Sequence, residues 1–286
     1  MLVNAKKMVD DAYKNRYAVP HININNLEWA KNVLLACEEM RSPVILSASE
    51  GAVHYMGGYK TVSSMVNSLV KDLNITVPVA LHLDHGTFEG CKKAIEEGFT
   101  SIMFDGSKLE FNQNYSNTAE LVTLAKENNI SIEAEVGQIG GQEDDIFSKG
   151  ELANLNEAIS LSKLGIDFLA AGVGNIHGKY PTNWKSLNFD LLDLISKNTK
   201  IGIVLHGGSG IPNDQIKKAI DLGVAKININ TELQLAFHQA IRDFIVNNKD
   251  LKGKNYDPRL LLKNGCEAIK QATKEKILLF SSNNRY

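Results

Sequence analysis

Eight short apolar runs alternate with longer stretches of helical period along this chain, and that alternation is the strongest constraint on its fold. Strict alternation of strands and helices predicts a parallel sheet with helical crossovers. Eight such units in 286 residues suit one closed (β/α)₈ barrel, which uses about 250 residues. A doubly wound open sheet would ask for a GxGxxG turn after the first strand, and none is present. We therefore expect an α/β protein with a single TIM-barrel domain over residues 1–286.

The elements of this barrel follow from hydrophobic periodicity. The predicted strands are 18–25, 43–50, 77–84, 101–107, 130–137, 168–175, 200–207 and 225–231. The predicted helices are 27–40, 59–73, 88–97, 115–128, 156–164, 189–197, 212–222 and 232–247. One more helix, from 260 to about 276, follows at the C-terminus and is not needed to complete the barrel.

Two connections are longer than the usual two to six residues, namely 137–153 after the fifth strand and 176–188 after the sixth. Because both follow strands, both should lie over the C-terminal mouth of the barrel. The first contains Gly137, Gly140 and Gly141 and the acidic run Glu143-Asp144-Asp145, a composition that predicts a mobile lid.

The composition of the chain limits the kinds of partner and the cellular compartment that it suits. A net charge of −2 and a pI of about 6.4 argue against binding to nucleic acid or to an anionic membrane surface. Cys37, Cys91 and Cys266 are far apart and form no CxxC pair, which is typical of reduced thiols. With no signal peptide and no apolar run of 18 residues, the sequence predicts a soluble cytoplasmic protein.

Three histidines lie at or just after the ends of predicted strands, each with a glycine after it. His85 lies in Asp84-His85-Gly86 after the third strand, His177 follows the sixth, and His206 lies at the end of the seventh. Strand ends converge at the mouth of a barrel, and three imidazoles there suit one divalent metal with an open coordination position. Asp84, beside a ligand, is then placed for acid/base work. His82 shares a side of its strand with Asp84, so it is expected to lie in the barrel interior.

The remaining histidines, His21, His54 and His238, are interpreted as structural. Asp105 on the fourth strand and Glu135 on the fifth leave two interpretations open. They could form an interior ion pair with a lysine such as Lys108, or a second cation position beside the histidines. Glu133 shares a face with Glu135, so one of the two could be structural.

A phosphate site is predicted at the last two strands. Barrels frequently bind phosphate at these loops, where backbone N–H groups and a helix start face the anion. The residues concerned are Gly207, Gly208 and Ser209 after the seventh strand, and Asn228, Ile229, Asn230 and Thr231 at the end of the eighth.

Taken in order, these motifs resemble a known family. The set comprises His82-Leu83-Asp84-His85-Gly86, Glu133-Ala134-Glu135-Val136-Gly137, Gly140–Asp144, Gly174-Asn175-Ile176-His177-Gly178, His206-Gly207-Gly208-Ser209-Gly210 and Asn228–Thr231. It closely resembles class II, zinc-dependent fructose-1,6-bisphosphate aldolases, from about residue 18 to 259 and beyond. The resemblance implies reversible aldol cleavage of fructose 1,6-bisphosphate to dihydroxyacetone phosphate and glyceraldehyde 3-phosphate.

The resemblance also implies roles for individual residues. Zinc would be bound by His85, His177 and His206, with Asp84 as the proton donor and Glu143 as the mobile-loop carboxylate that moves the C–H proton. Asp105 and Glu135 match positions that bind a second metal in relatives, and a monovalent cation is a further option. The implied substrate contacts are Gly178, Gly207–Ser209, Asn228–Thr231, Asn23 and Ser49. Arg259, in Asp257-Pro258-Arg259, matches an arginine that reaches the substrate phosphate of a neighbouring subunit, which implies a homodimer or larger oligomer.

The motifs leave other functions open. Tagatose-bisphosphate aldolases share nearly every motif, and a non-catalytic aldolase-like subunit would be a different class of protein. A metal-dependent hydrolase would usually carry His-x-His on the first strand, which here reads His21-Ile22-Asn23. A Schiff-base mechanism is not expected, because Lys226 is placed at the start of the eighth strand, away from the mouth.

Overall fold

Eight parallel strands close into a barrel in this computed structural model, which describes residues 2–143 and 146–286 but no side chains of residues 142–147. The strands are Val19–Asn23, Val44–Ser49, Val79–Gly86, Ser101–Phe104, Ser131–Val136, Phe168–Ala171, Gly202–Leu205 and Val224–Ile229. Each pairs with its neighbours in chain order, and the first pairs with both the second and the eighth. This confirms the predicted (β/α)₈ TIM barrel.

Helices surround this barrel. Within the described residues they are Lys6–Asn15, Leu27–Met40, Glu50–Tyr55, Tyr59–Asp72, Phe88–Glu96, Phe111–Glu127, Leu155–Lys163, Phe189–Thr199, Asn213–Asp221, Thr231–Val246, Pro258–Leu261 and Lys263–Leu279. The helix predicted from residue 115 begins at Phe111, and the C-terminal helix begins at Lys263 after a short helical turn. None of the described helices combines the length and apolar character needed to cross a membrane.

Two helices were not predicted, and each has a definite place. Lys6–Asn15 carries Met8 and Val9 into an apolar cluster with the strand residues Val19 and Phe168, so it closes the bottom of the barrel. Glu50–Tyr55 begins directly after the second strand, where the hydroxyl of Ser49 caps it by accepting a hydrogen bond from the N–H of Ala52. A second and larger apolar core lies between the strands and the outer helices.

Above the apolar floor the barrel interior becomes polar. The side chains of His21, His82, Glu133 and Lys226 are fully buried there. Charged groups are tolerated in such a place only when they are paired, and Lys226 Nζ lies 2.8 Å from Glu133 Oε2. This polar layer supports the residues at the mouth.

The connection that was predicted to be a lid forms part of a small three-stranded sheet. Gly140–Glu143 and Ile146–Ser148 make an antiparallel hairpin. Gly140 and Gly141 also pair in parallel with Ile176 and His177. The hairpin is thus joined to the segment that carries one of the predicted metal ligands, while its mobility stays a prediction.

Candidate active site

The three histidines predicted to share a metal converge at the mouth of the barrel. Their candidate ligand atoms lie within 4.8 Å of one another. The ring centroids are 4.7 Å apart for His85 and His206, 5.1 Å for His85 and His177, and 5.7 Å for His177 and His206. Such spacing allows the three side chains to approach one ion.

Local backbone geometry brings His85 to this position. It belongs to the third strand, where the register shifts between Leu83 and Gly86, and its φ of +48° is unusual for a side chain with a Cβ. Left-handed backbone at a non-glycine residue is concentrated at functional sites. The irregularity turns the imidazole of His85 toward Asp105, which the pleat of a regular strand would not do.

The nitrogen atoms of His85 have different environments. Its Nδ1 lies 2.8 Å from Oδ2 of Asp105, while its Nε2 is buried and has no hydrogen-bond partner among the described residues. A carboxylate accepts a hydrogen bond, so the Nδ1 atom carries the proton and Nε2 is left to bind a cation. The residues therefore fit a divalent metal.

The charges around His85 favour its protonated form in the metal-free protein. Burial acts to lower its pKa, but the negative charges of Asp84, Asp105 and Glu135 outweigh burial and raise the pKa well above 6.5. Burial and the neighbouring cations lower the pKa of His206 instead. One imidazole of the cluster is thus protonated and another neutral, and a metal would have to displace the proton of His85.

Asp105 and Glu135 form a second group of candidate ligands with His85, again with ligand atoms within 4.8 Å of one another. Asp105 also accepts hydrogen bonds from the N–H and hydroxyl of Ser107, at 3.1 and 2.7 Å. Burial acts to raise its pKa, yet its bond to His85 lowers the pKa overall. Burial, and then the charge of Asp105, raise the pKa of Glu135. Of the two interpretations left open for these carboxylates, their approach to His85 supports a cation position beside the histidines rather than an ion pair with Lys108.

Asp84 lies beside the cluster and is 2% exposed. Its Oδ2 accepts a hydrogen bond from Nδ2 of Asn23 at 2.9 Å. Burial acts to raise its pKa, but the charges of His85, His206 and Lys226 lower the pKa below the usual range of an aspartate. The group is therefore a carboxylate at neutral pH, able to accept a proton.

A narrow cleft of about 20 Å³ extends from Asp84 to the ends of the seventh and eighth strands. The predicted substrate contacts that line it are Asn23, Gly178, Gly207, Ser209, Asn228, Asn230 and Thr231. Gly208 and Ile229 do not line it, because the N–H of Gly208 donates to the carbonyl of Asn228 and the side chain of Ile229 is buried in the outer core.

Glycine is required at residue 207 for two reasons. Its φ is +62°, and a Cβ there would lie 2.1 Å from the carbonyl oxygen of Ile176. The seventh-strand loop therefore packs directly on the segment that carries His177. Tyr180 ties the same loops together, because its hydroxyl accepts from the N–H of Ile176 and donates to the carbonyl of Gly207.

A larger cavity of about 300 Å³ lies on the other side of His177. Ser49, Asp105 and Glu135 line it, together with Lys108, for which the sequence had suggested only an ion-pairing role. Because His177 borders both spaces, they meet at the histidine cluster. An elongated molecule could occupy both.

The comparisons with known proteins agree with this geometry. The family model described as fructose-bisphosphate aldolase class-II matches residues 3–285. The chain belongs to the class-II fructose-bisphosphate aldolase family. Membership confirms the predicted metal-dependent lyase.

Relatives of this aldolase match over nearly their whole length. A fructose-bisphosphate aldolase of Mycoplasma pneumoniae is 55% identical, with both chains covered in full. One from Ureaplasma parvum is 56% identical, covering 99% of this chain and 98% of the relative. The solved structure of the YdjI aldolase from Escherichia coli K12 is 33% identical with a TM-score of 0.83, covering 100% of this chain and 99% of the other.

Arg259, which was predicted for the aldolase site, does not reach it within this chain. The side chain of Arg259 is 88% exposed, pairs with Asp257 at 2.6 Å, and lines neither cavity. Its predicted role belongs to a neighbouring subunit and stays a prediction. The side chain of Glu143 lies outside the described part of the chain, so its role is likewise untested.

Other residues of the aldolase site were missed by sequence reasoning. Asn175 donates from Nδ2 to the carbonyl of His206 and accepts from the N–H of Val173. It lies in the glycine-flanked motif around His177, which was the available signal. Lys226 was placed away from the mouth, whereas its ammonium lies 2.9 Å from Oδ1 of Asn228, a residue of the cleft. A long side chain reaches further along the barrel axis than its position in the strand suggests.

Proposed function

We propose that this aldolase reversibly cleaves fructose 1,6-bisphosphate to dihydroxyacetone phosphate and glyceraldehyde 3-phosphate with zinc held by His85, His177 and His206. The observation that carries this proposal is the convergence of three imidazoles beside Asp84, at the junction of a glycine-lined cleft and a larger cavity. All-histidine sets suit zinc, whereas oxygen ligands suit magnesium and calcium.

The cleft at Gly207, Ser209 and Thr231 would hold the phosphate of the dihydroxyacetone phosphate half. Thr231 begins a helix of 16 residues, whose positive dipole end favours an anion. The rest of the substrate would extend past His177 into the larger cavity, where Ser49 lies. Holding both ends of the substrate aligns the bond to be broken.

Bound zinc would act as a Lewis acid that draws electron density toward the substrate ketone. Asp84, held by Asn23, takes the proton of the C4 hydroxyl. The C3–C4 bond then breaks, C4 becomes the aldehyde carbon, and the electron pair stays with the C3 fragment. Glu143 delivers a proton to C3, which completes dihydroxyacetone phosphate. Condensation runs through the same proton transfers in reverse.

Asp105 and Glu135 would offer a second cation position beside the first, since both reach His85. A divalent or a monovalent ion could occupy it. We further propose a cytoplasmic homodimer or larger oligomer, in which Arg259 meets the second phosphate in a neighbouring subunit. Free Cys37, Cys91 and Cys266 fit a reducing compartment.

Fructose rather than tagatose bisphosphate is favoured, because relatives at 55% and 56% identity are named fructose-bisphosphate aldolases. The deciding experiment assays the purified chain on both sugar bisphosphates, with bound zinc quantified in the same samples. We expect cleavage of the fructose substrate, loss of activity with a chelator, and recovery with zinc. A preference for tagatose bisphosphate would show that this sugar, rather than fructose 1,6-bisphosphate, is the substrate. Full activity in zinc-free protein would overturn the mechanism.

A further inference from the structure

The buried ammonium of Lys226 has two polar contacts inside the barrel. Its Nζ lies 2.8 Å from Glu133 Oε2 and 2.9 Å from Asn228 Oδ1, and the lysine is completely buried. Each of these contacts leads to a different part of the site. Glu133 contacts His206, and Asn228 contacts both His206 and Asp84.

The contact of Lys226 with Asn228 fixes the orientation of the Asn228 amide. An ammonium can only donate hydrogen bonds, so the atom of Asn228 that faces Lys226 must be the oxygen. The amide nitrogen then points to the other side, where it lies 3.5 Å from Oδ1 of Asp84. It lies 3.1 Å from Nδ1 of His206 and 3.4 Å from Nε2, so Nδ1 is the nearer ring nitrogen. A reversed amide would place two donors against each other at Lys226.

The contact of Lys226 with Glu133 fixes which ring nitrogen of His206 carries the proton. Lys226 holds Glu133 as its counter-ion, and the other oxygen of Glu133 lies 2.8 Å from Nε2 of His206. A carboxylate accepts, so Nε2 carries the N–H. The lone pair of the ring is then on Nδ1, the atom that also receives the amide of Asn228. Both contacts therefore leave Nδ1 as the unprotonated ring nitrogen of His206.

We propose that Lys226 is a positioning residue, which sets the tautomer of His206 and the amide orientation of Asn228 and thereby leaves Nδ1 of His206 to bind the metal. This inference rests on the proposed function only in treating His206 as a ligand. Second-layer contacts of this kind typically change metal affinity about 10- to 100-fold. The lysine touches neither the substrate cleft nor the larger cavity.

The test uses ¹⁵N-histidine-labelled full-length protein, with Lys226→Met compared with wild type. In metal-free wild type we expect His206 to show one tautomer with the proton on Nε2. In the variant the amide of Asn228 is free to turn its oxygen toward Nδ1 of His206. We therefore expect a second tautomer beside the first and a zinc affinity lower by about 10- to 100-fold, measured by chelator competition. The matched control is Lys6→Met, because Lys6 forms ion pairs with Asp10 and Asp167, away from the histidines.

Removing Lys226 alone leaves a buried carboxylate without its counter-ion and could prevent folding. The double variant Lys226→Met/Glu133→Gln removes both charges and keeps the volume of residue 133. Its glutamine can turn either end of its amide toward His206, so both tautomers should appear. Retention of the single wild-type tautomer and of wild-type zinc affinity in the double variant would overturn the inference. Because the tautomer is read without substrate, its outcome is independent of whether the wild type cleaves fructose 1,6-bisphosphate.

Discussion

Nδ1 of His85 lies 2.8 Å from Oδ2 of Asp105. A carboxylate behind an imidazole fixes the ring orientation and makes the opposite nitrogen a better metal ligand. Here that opposite nitrogen, Nε2, is buried without a hydrogen-bond partner among the residues that the structure describes. The two residues come from adjacent strands of the barrel, so the fold itself sets their spacing.

Replacing Asp105 by alanine should therefore weaken zinc binding about 10- to 100-fold, because the ring of His85 loses its anchor and its charge partner. Chelator competition measures the affinity directly. Asp193→Ala is the control, since this aspartate pairs with the exposed Lys197 on an outer helix. Equal zinc affinity in the Asp105 variant and wild type would contradict this role for the carboxylate.

Asp84→Asn should retain zinc and lose turnover. The amide keeps the size of the carboxylate beside Asn23, but it cannot accept the hydroxyl proton, so kcat should fall by about 10²- to 10⁴-fold. Zinc content is measured on the same protein by atomic absorption. Full turnover with normal zinc would remove Asp84 from the proton transfer, and loss of zinc would make it part of the metal site instead.

Zinc affinity should increase with pH. The raised pKa of His85 means that its imidazole is protonated in the metal-free protein at neutral pH, and zinc must displace that proton. We expect up to about tenfold tighter binding per pH unit, levelling off above the raised pKa. The same proton stabilises the metal-free fold fully below the unfolded pKa of 6.5, and this contribution is lost as pH rises through the folded pKa.

Calorimetry in buffers with different ionisation enthalpies counts the protons that zinc binding releases. About one proton should be released near neutral pH. Binding that releases none, with an affinity independent of pH, would show that His85 is already neutral.

Much of the fold was predictable because each strand and helix has its own local pattern. The helix Leu27–Met40 shows this, since its period, its capping residue Asn26 and its end are all readable in the sequence. The helix Lys6–Asn15 was missed because it belongs to no strand–helix unit, and its role as a floor appears only when the barrel closes. Closure is a non-local event that the sequence pattern does not record.

The site was predictable to the extent that its residues end strands. His85 and His206 follow that rule, because their strands place them at the same mouth. His177 lies beyond its barrel strand, in a short segment of the small sheet, so its motif located it better than any strand boundary did. The contact of Lys226 with Asn228 was missed, because the direction in which a long side chain extends is set by its buried partners.

The floor of the barrel provides a test that separates stability from chemistry. Met8 on the N-terminal helix is 1% exposed and packs into the apolar cluster below the polar layer. Met8→Ala should lower the free energy of unfolding by about 2–5 kcal/mol through lost burial and the cavity it leaves. Urea denaturation measures the change, and Lys7→Ala on the exposed face of the same helix should stay within about 0.5 kcal/mol. Because the floor lies below the histidine cluster, zinc affinity should be unchanged in folded Met8→Ala protein. A large loss of zinc affinity with little loss of stability would show that the helix acts on the metal site rather than on the barrel.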